Sequence, residues 1–265
     1  MIRKTLSMLR LIGVYFRTNF SAALEYRESF YMSAFGMALS NGSFVFFWWV
    51  AFGQIGGRIG GYDFRDVMFI WAASSSAYGL CHIIFGNVSR LGQLIVGGGL
   101  DTYLLQPKNL LLNVMCSGTN LSAWGDLIYG FILMALTGQG VLGWVFFAVA
   151  IIFGAPLFAA TSIAANSLAF FFGDSSIAGG LVSEFLVNFS IYPEGIFKGV
   201  VRFIMYTAVP VAFISHVPLK LARGGPLWWL AVLAAATIMY CFAAFKLFMA
   251  GLKRYESGNL VVTRV

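Results

Sequence analysis

Six long apolar stretches alternate with short polar or glycine-rich segments along this chain. A helix needs about 20 apolar residues to cross the hydrocarbon core of a bilayer. The pattern therefore predicts an all-α membrane protein with six transmembrane helices, at about 30–52, 67–88, 115–137, 142–165, 177–191 and 226–250. The helical pattern of the fourth can continue to Phe172. In the second, Ser74, Ser75, Ser76 and Gly79 are small enough to let another helix approach closely.

The first 28 residues show a different pattern, with one apolar stripe and one basic stripe. Apolar side chains recur at helical spacing at Ile2, Leu6, Leu9, Ile12 and Phe16. The basic stripe is spaced by seven residues and consists of Arg3, Arg10 and Arg17. This arrangement predicts an amphipathic helix on the cytosolic membrane surface, with its cations among anionic lipid headgroups. A cytosolic helix packed on a partner protein is the alternative.

Prolines divide the region between the fifth and the last apolar stretch. Tyr192-Pro193 and Pro210 each interrupt helix, because proline lacks a backbone donor and clashes with the preceding turn. We therefore expect residues 192–217 to form a re-entrant region, with short helices at about 194–203 and 207–216 that enter the outer leaflet and return. Non-helical backbone at that depth is tolerated only where protein shields it or where it lines a cavity.

The composition and the charge distribution agree with a membrane protein whose two termini are cytoplasmic. The chain is 60% hydrophobic and 10% charged, whereas soluble domains carry about 25% charged residues. In the six-span arrangement most of the 17 Lys and Arg residues fall on the cytosolic side, as the positive-inside rule requires. A seventh span at about 198–217 would move Lys253 and Arg254 outside. The net charge of +7 does not indicate nucleic-acid binding, because no basic stripe with interleaved aromatic residues is present.

The sequence lacks the motifs of the common catalytic sites. No G-x-x-x-x-G-K-[ST] loop occurs, so the chain is not expected to hold nucleotide phosphates, and no H-E-x-x-H motif or Ser/His/Asp arrangement stands out. The three cysteines are isolated in apolar stretches, which is typical of packing residues. Asp126 and Glu184 are acids inside predicted spans. Such acids are either functional, as proton relays or pore groups, or structural partners of polar side chains on a neighbouring helix.

A glycine-led polar segment, residues 97–109, interrupts the apolar pattern after the second span, and we call it the elbow. Gly97 to Gly99 permit a sharp turn, and Pro107 ends any helix that follows. Three leucines offer an apolar knob: Leu100, Leu104 and Leu105. The polar positions are Asp101, which can accept backbone N–H bonds in the first helical turn, and Lys108 and Asn109 at the rim. The elbow is interpreted as the docking site of an ATP-hydrolysing subunit, and an ordinary cytosolic loop is the alternative.

Five short blocks occur in order along nearly the whole chain. They are Ala23-Leu24-Glu25-Tyr26-Arg27-x-x-Phe30, Gly98-x-Leu100-Asp101-x-x-Leu104-Leu105-x-Pro107-x-Asn109-x-Leu111, Tyr192-Pro193, Val209-Pro210-x-Ala212-Phe213 with Pro218 beyond it, and Gly251-Leu252-Lys253-Arg254-Tyr255-x-Ser257. Each block alone is weak, but the ordered set resembles the compact group of ABC-2 type permeases known as ABC-2 family transporter proteins. One departure is Gly99, where the family pattern leads us to expect an acidic residue.

The resemblance implies an ABC-2 type transmembrane domain at 29–265, preceded by the interfacial helix at 1–28. It also implies two permease chains, identical or sister subunits, and two cytosolic ATP-binding cassette ATPases that bind the ATP and Mg. This chain would then hold no cofactor and would not itself be an enzyme. The elbow would be the coupling helix that contacts the ATPase, and Glu25, Tyr26 and Arg27 would add interfacial contacts.

The function implied by the resemblance is export, across a bacterial inner membrane, of a hydrophobic or amphipathic substrate such as a drug, a peptide or a lipid-like molecule. Alternating access would need an external gate, which we place at Tyr192, Pro193, Pro210 and Phe213. Other classes stay open. The chain could be an ATP-independent secondary transporter or lipid scramblase that uses Asp126 or Glu184, or a structural assembly factor.

Overall fold

The computed structural model describes residues 2–55, 57–173 and 176–256. These residues form α-helices joined by short turns, with one isolated β-bridge between Ile59 and Tyr62. The helices are α1 (Ile2–Glu25), α2 (Arg27–Ile55), α3 (Phe64–Ile84), α4 (Leu91–Val96), α5 (Asp101–Leu104), α6 (Leu110–Cys116), α7 (Ala123–Leu136), α8 (Val141–Ser167), α9 (Ala169–Phe172), α10 (Ser176–Ile191), α11 (Val200–Thr207), α12 (Val217–Ala222) and α13 (Trp228–Leu252).

Each of the six predicted spans coincides with an apolar helix, which confirms an all-α membrane protein. Four of these helices are long and apolar enough to cross a bilayer: α2, α3, α8 with its continuation α9, and α13. The helices at the third and fifth predicted spans, α7 and α10, are apolar but shorter, with 14 and 16 residues. The fourth span does continue to Phe172, as its apolar pattern predicted.

The third span begins later than predicted. We placed it at 115–137, but α6 ends at Cys116 and α7 begins at Ala123. The side chain of Asn120 accepts hydrogen bonds from the backbone N–H and the hydroxyl of Ser122, at 3.1 and 2.8 Å. Such local bonds offer the backbone an alternative to helix, so the polar residues between Cys116 and Ala123 form a turn.

The prediction of two short helices around Pro210 is confirmed, but the predicted boundaries are wrong. Residues 194–196 form a single 3-10 turn, and the first helix of the pair is α11. The second starts as a π-helical turn at Ala212–His216 and continues through α12, beyond the predicted end at His216. The two parts meet at an angle of 75°. Pro218 lies in the first turn of α12, where a proline is tolerated.

Helix α3 lies at the centre of the bundle and packs against α7, α8 and α10. Its approach to α7 is close because glycines occupy the contact. A Cβ atom on Gly130 of α7 would lie 2.0 Å from Ser76 Oγ, and one on Gly79 would lie 2.7 Å from the carbonyl oxygen of Ala123. The serines and glycine of α3 therefore do what the sequence predicted, since small residues let membrane helices come together.

We predict that Gly130→Ala destabilises the bundle, because the added methyl group has no room between α3 and α7. Overpacking of this kind costs about 1–3 kcal/mol. The matched control is Gly42→Ala in α2, where a Cβ meets nothing within 4 Å. Thermal unfolding of the purified protein in detergent should show a lower midpoint for Gly130→Ala alone. Equal midpoints for the two variants would contradict the close contact.

Candidate functional site

The elbow is a compact turn whose only helical part is the single turn α5. Gly98 adopts a φ of +73°, which lets the chain reverse after α4. Leu104 and Leu105 are 46% and 87% exposed, as expected for a docking knob. Leu100, which we also expected in that knob, is fully buried in the core. The elbow therefore presents two leucines outward and uses the third as an anchor.

Asp101 connects the elbow to the segment that follows α13. The hydroxyl of Tyr255 donates a hydrogen bond to Asp101 Oδ1 at 2.9 Å, and the Tyr255 ring lies edge-on to Phe170, with centroids 6.1 Å apart. Burial raises the pKa of Tyr255 to about 12, and its hydrogen bond to Asp101 adds to this, so the phenol stays a donor at neutral pH. Nothing in the sequence pairs these two residues, which are 154 positions apart.

The remaining elbow residues contact the chain itself. Lys108 Nζ lies 5.7 Å from the centroid of the Tyr15 ring in α1. The side chain of Asn109 caps α6 by accepting a hydrogen bond from the N–H of Leu112 at 3.0 Å. Pro107, Lys108 and Asn109 line one wall of an open groove of about 580 Å³ against α1. Of the rim residues predicted to contact an ATPase, Lys108 therefore also contacts α1, whereas Asn109 caps α6.

Helix α1 is attached to the bundle on one side and exposed on the other. Tyr15 donates a hydrogen bond to Asn113 of α6, and Asn19 Nδ2 donates to the carbonyl of Cys116 at 2.9 Å. The exposed side carries large apolar residues, namely Leu6, Leu9, Val14 and Phe16. The segment is helical as predicted, and its position at the membrane surface stays a prediction. Glu25, Tyr26 and Arg27 lie at the junction of α1 and α2, and all three side chains are exposed.

Both intramembrane acids line one cavity of about 350 Å³, formed by α2, α3, α7, α8 and α10. Asp126 is only 6% exposed, and its Oδ1 accepts a hydrogen bond from Asn41 Nδ2 at 2.7 Å. Its Oδ2 is buried with no hydrogen-bond partner among the described residues. Glu184 belongs to the same lining and is exposed. The sequence marked both acids but did not place them in one cavity.

The walls of this cavity include aromatic rings and serine hydroxyl groups. Phe44 and Trp71 lie with ring centroids 5.3 Å apart, and Tyr78 and Phe158 lie edge-on at 5.5 Å. The carbonyl of Ser190 accepts hydrogen bonds from Ser74 Oγ at 3.0 Å and from Ser215 Oγ at 2.7 Å. This shared acceptor joins α3, α10 and the π-helical turn on one side of the cavity. Trp71 Nε1 has no hydrogen-bond partner in the part of the chain that the structure describes.

Charged contacts close the end of the bundle where α3 begins, which we call the cap end. Arg223, just after α12, pairs with Asp66 of α3, with Nε 2.7 Å from Oδ1, and lies over the face of Tyr62. Glu194 is buried and pairs with Arg202 of α11 at 2.5 Å. Sequence reasoning missed both ion pairs, because the sequence alone does not show which acid meets which base.

The four predicted gate residues do not form one surface. Tyr192 lies edge-on to Trp48 of α2, with centroids 5.8 Å apart. Pro193 and Pro210 are buried, the first beside the 3-10 turn and the second at the bend between α11 and the π-helical turn. Phe213 points into the core and contacts Tyr206, with centroids 5.6 Å apart. The ion pairs lie at the cap end, whereas the chain at the bend contacts the middle of α13, where the Tyr240 hydroxyl donates a hydrogen bond to the carbonyl of Thr207.

These features define a multi-pass helical membrane protein with an exposed elbow at one end and a lined cavity inside the bundle. The chain matches the family described as ABC-2 family transporter protein over residues 39–258, and it belongs to that family. No curated protein and no solved structure matches it. Membership makes the chain a membrane permease component that works with a separate ATP-binding cassette ATPase.

We predict that Tyr255→Phe loosens the elbow without unfolding the protein. Loss of one hydrogen bond costs about 1 kcal/mol, so local amide exchange across residues 100–105 should become about fivefold faster. The matched control is Tyr31→Phe, which removes the hydroxyl of an exposed tyrosine in α2. Hydrogen-exchange mass spectrometry measures both variants. Unchanged exchange at the elbow in Tyr255→Phe would show that the contact with Asp101 does not hold it.

Proposed function

We propose that this chain is the permease subunit of an ATP-binding cassette exporter in a bacterial inner membrane, with its elbow end and both termini in the cytosol. The observation that carries the proposal is the elbow itself. Leu104 and Leu105 are exposed on a single helical turn whose preceding residue, Leu100, is fixed in the core. An apolar projection that is anchored in the core suits a groove on an ATPase. A force applied to the elbow would move the helices to which the elbow is anchored, rather than the elbow alone.

Two contacts would carry a displacement of the elbow into the bundle. The bond between Asp101 and Tyr255 leads to α13, which packs along α8. The N–H of Gly92 in α4 donates to Asn166 Oδ1 of α8 at 3.3 Å. Closure of two ATPase subunits on ATP would therefore move α8 and α13 together. Glu25, Tyr26 and Arg27 are exposed at the end of α1 and would add contacts to the same partner.

Export would proceed by alternating access in a pair of permease chains, identical or sister subunits. In this proposal the cavity between α2, α3, α7, α8 and α10 receives the substrate, and the bent pair of α11 and α12 with its ion pairs forms the external gate. The largely apolar, aromatic lining supports a hydrophobic or amphipathic substrate such as a drug, a peptide or a lipid-like molecule. ATP and Mg would be bound by the partner ATPase.

We predict that Leu104→Asp combined with Leu105→Asp abolishes association with the ATPase, because two carboxylates cannot be buried in an apolar groove without partners. The control is Val141→Asp, an apolar residue that is 81% exposed at the start of α8. Co-purification of the partner ATPase, together with its ATP hydrolysis rate, gives the result. Normal membrane insertion with at least a tenfold loss of the bound ATPase is expected for the double variant alone. Retained association would reject the elbow as the docking site.

A second candidate function is favoured by the cavity, in which Asp126 and Glu184 both lie. A secondary transporter or a scramblase would use these acids without an ATPase. We expect the purified chain in liposomes to show neither proton flux, followed with an entrapped pH dye, nor scrambling of a fluorescent lipid. Either activity, if lost in Asp126→Asn and in Glu184→Gln, would favour the second candidate over the exporter.

A further inference from the structure

The cavity beside Asp126 has negative side chains and no positive ones. Its lining includes Asp126 and Glu184, and none of the described residues that line it is Lys, Arg or His. Among the residues that the structure describes, Asp126 is therefore not one half of an ion pair. The described part of the chain gives its Oδ1 one donor, Asn41, and gives its Oδ2 none. A buried carboxylate oxygen without a donor is costly, so an incoming donor or cation is bound favourably there.

The rest of the lining selects the kind of cation. Four aromatic rings, of Phe44, Trp71, Tyr78 and Phe158, surround the space beside Asp126. Ring faces attract cations and also pack against apolar groups. No group of three or more His, Cys, Asp or Glu side chains suited to a metal occurs among the described residues. A hydrated metal ion would also lose more solvation in an apolar aromatic cavity than a cation that carries its own hydrocarbon.

We propose that this cavity binds an organic cation, with a protonated amine or a quaternary onium group at Asp126 and an apolar or aromatic body between the rings. The proposal deepens the proposed function by naming its substrate class, and rests on it in that respect. Asn41 fixes one carboxylate oxygen and leaves the other to the ligand. Glu184, on the exposed part of the lining, adds a second negative charge that favours entry of a cation over entry of an anion.

The test uses two probes of the same shape and opposite charge, tetraphenylphosphonium and tetraphenylborate. Binding to the full-length protein in lipid nanodiscs is measured by equilibrium dialysis, and empty nanodiscs correct for partition into lipid. The wild type should bind the phosphonium at least tenfold more tightly than the borate. Asp126→Asn, which keeps the shape of the side chain, should weaken phosphonium binding at least tenfold. Equal binding of the two probes, or unchanged binding in Asp126→Asn, would overturn the proposal.

A second variant keeps the test decisive if Asp126→Asn does not fold. Asn188→Lys adds a positive charge at an exposed residue of the cavity lining, and Val200→Lys adds one at an exposed residue of α11 away from it. The first should lose phosphonium binding at least tenfold and the second should keep it. Equal binding in the two variants would reject the cavity as the site.

The double elbow variant separates this inference from the proposed function. Because binding is measured without an ATPase, Leu104→Asp with Leu105→Asp should bind the phosphonium as the wild type does. Loss of binding in that variant would count against a cavity site that is independent of the elbow. If the ATPase docks on the elbow but the protein does not bind the phosphonium, the proposed substrate class is rejected and the proposed exporter function is not.

Discussion

The close approach of α3 and α7 is the constraint on which the rest of this structure depends. Between membrane helices there is little hydrophobic driving force, so association relies on close packing and on polar contacts. Gly79 and Gly130 permit that packing, and Ser75 Oγ donates a hydrogen bond to the carbonyl of Asp126 at 2.8 Å. The same pair of helices supplies one wall of the cavity. At the start of α3, Asp66 forms the ion pair with Arg223 at the cap end, and beyond the other end of α3 the chain leads through α4 to the elbow.

The sequence predicted the helices better than it predicted their contacts. Hydropathy is a local property, so runs such as α8 and α13 were recognised within a few residues of their ends. The third span was placed too early, because the turn before α7 is set by the side chain of Asn120, which averaged hydropathy does not register. The bend at Pro210 was predictable from the missing donor of proline. The extension of the second helix past His216 was not, since it follows from packing of α12 against α8.

At the candidate site, too, the sequence predicted local properties better than contacts between distant residues. Exposure of Leu104 and Leu105 followed from their position between Gly99 and Pro107, whereas the burial of Leu100 depends on what lies behind the turn. Asp126 and Glu184 stood out in the sequence as acids in apolar surroundings. Their presence in one cavity required the packing of α7 and α10 around α3, which no spacing along the chain encodes. The partner of Asp101 was invisible for a similar reason, because it lies 154 residues away.

The length of α7 has a consequence for the surrounding lipid. Fourteen residues rise only about 21 Å, whereas the hydrocarbon of a typical bilayer is about 30 Å thick. Its outward face carries exposed apolar side chains, including Ile128, Phe131, Ile132 and Leu136, which suit contact with acyl chains. Hydrophobic mismatch of this kind is relieved when the bilayer thins or the helix tilts. Asp126 lies in the first turn of α7. Local thinning of the bilayer beside α7 would bring lipid headgroups and water toward the Asp126 carboxylate. It would also shorten the path from the aqueous phase to the interior of the protein.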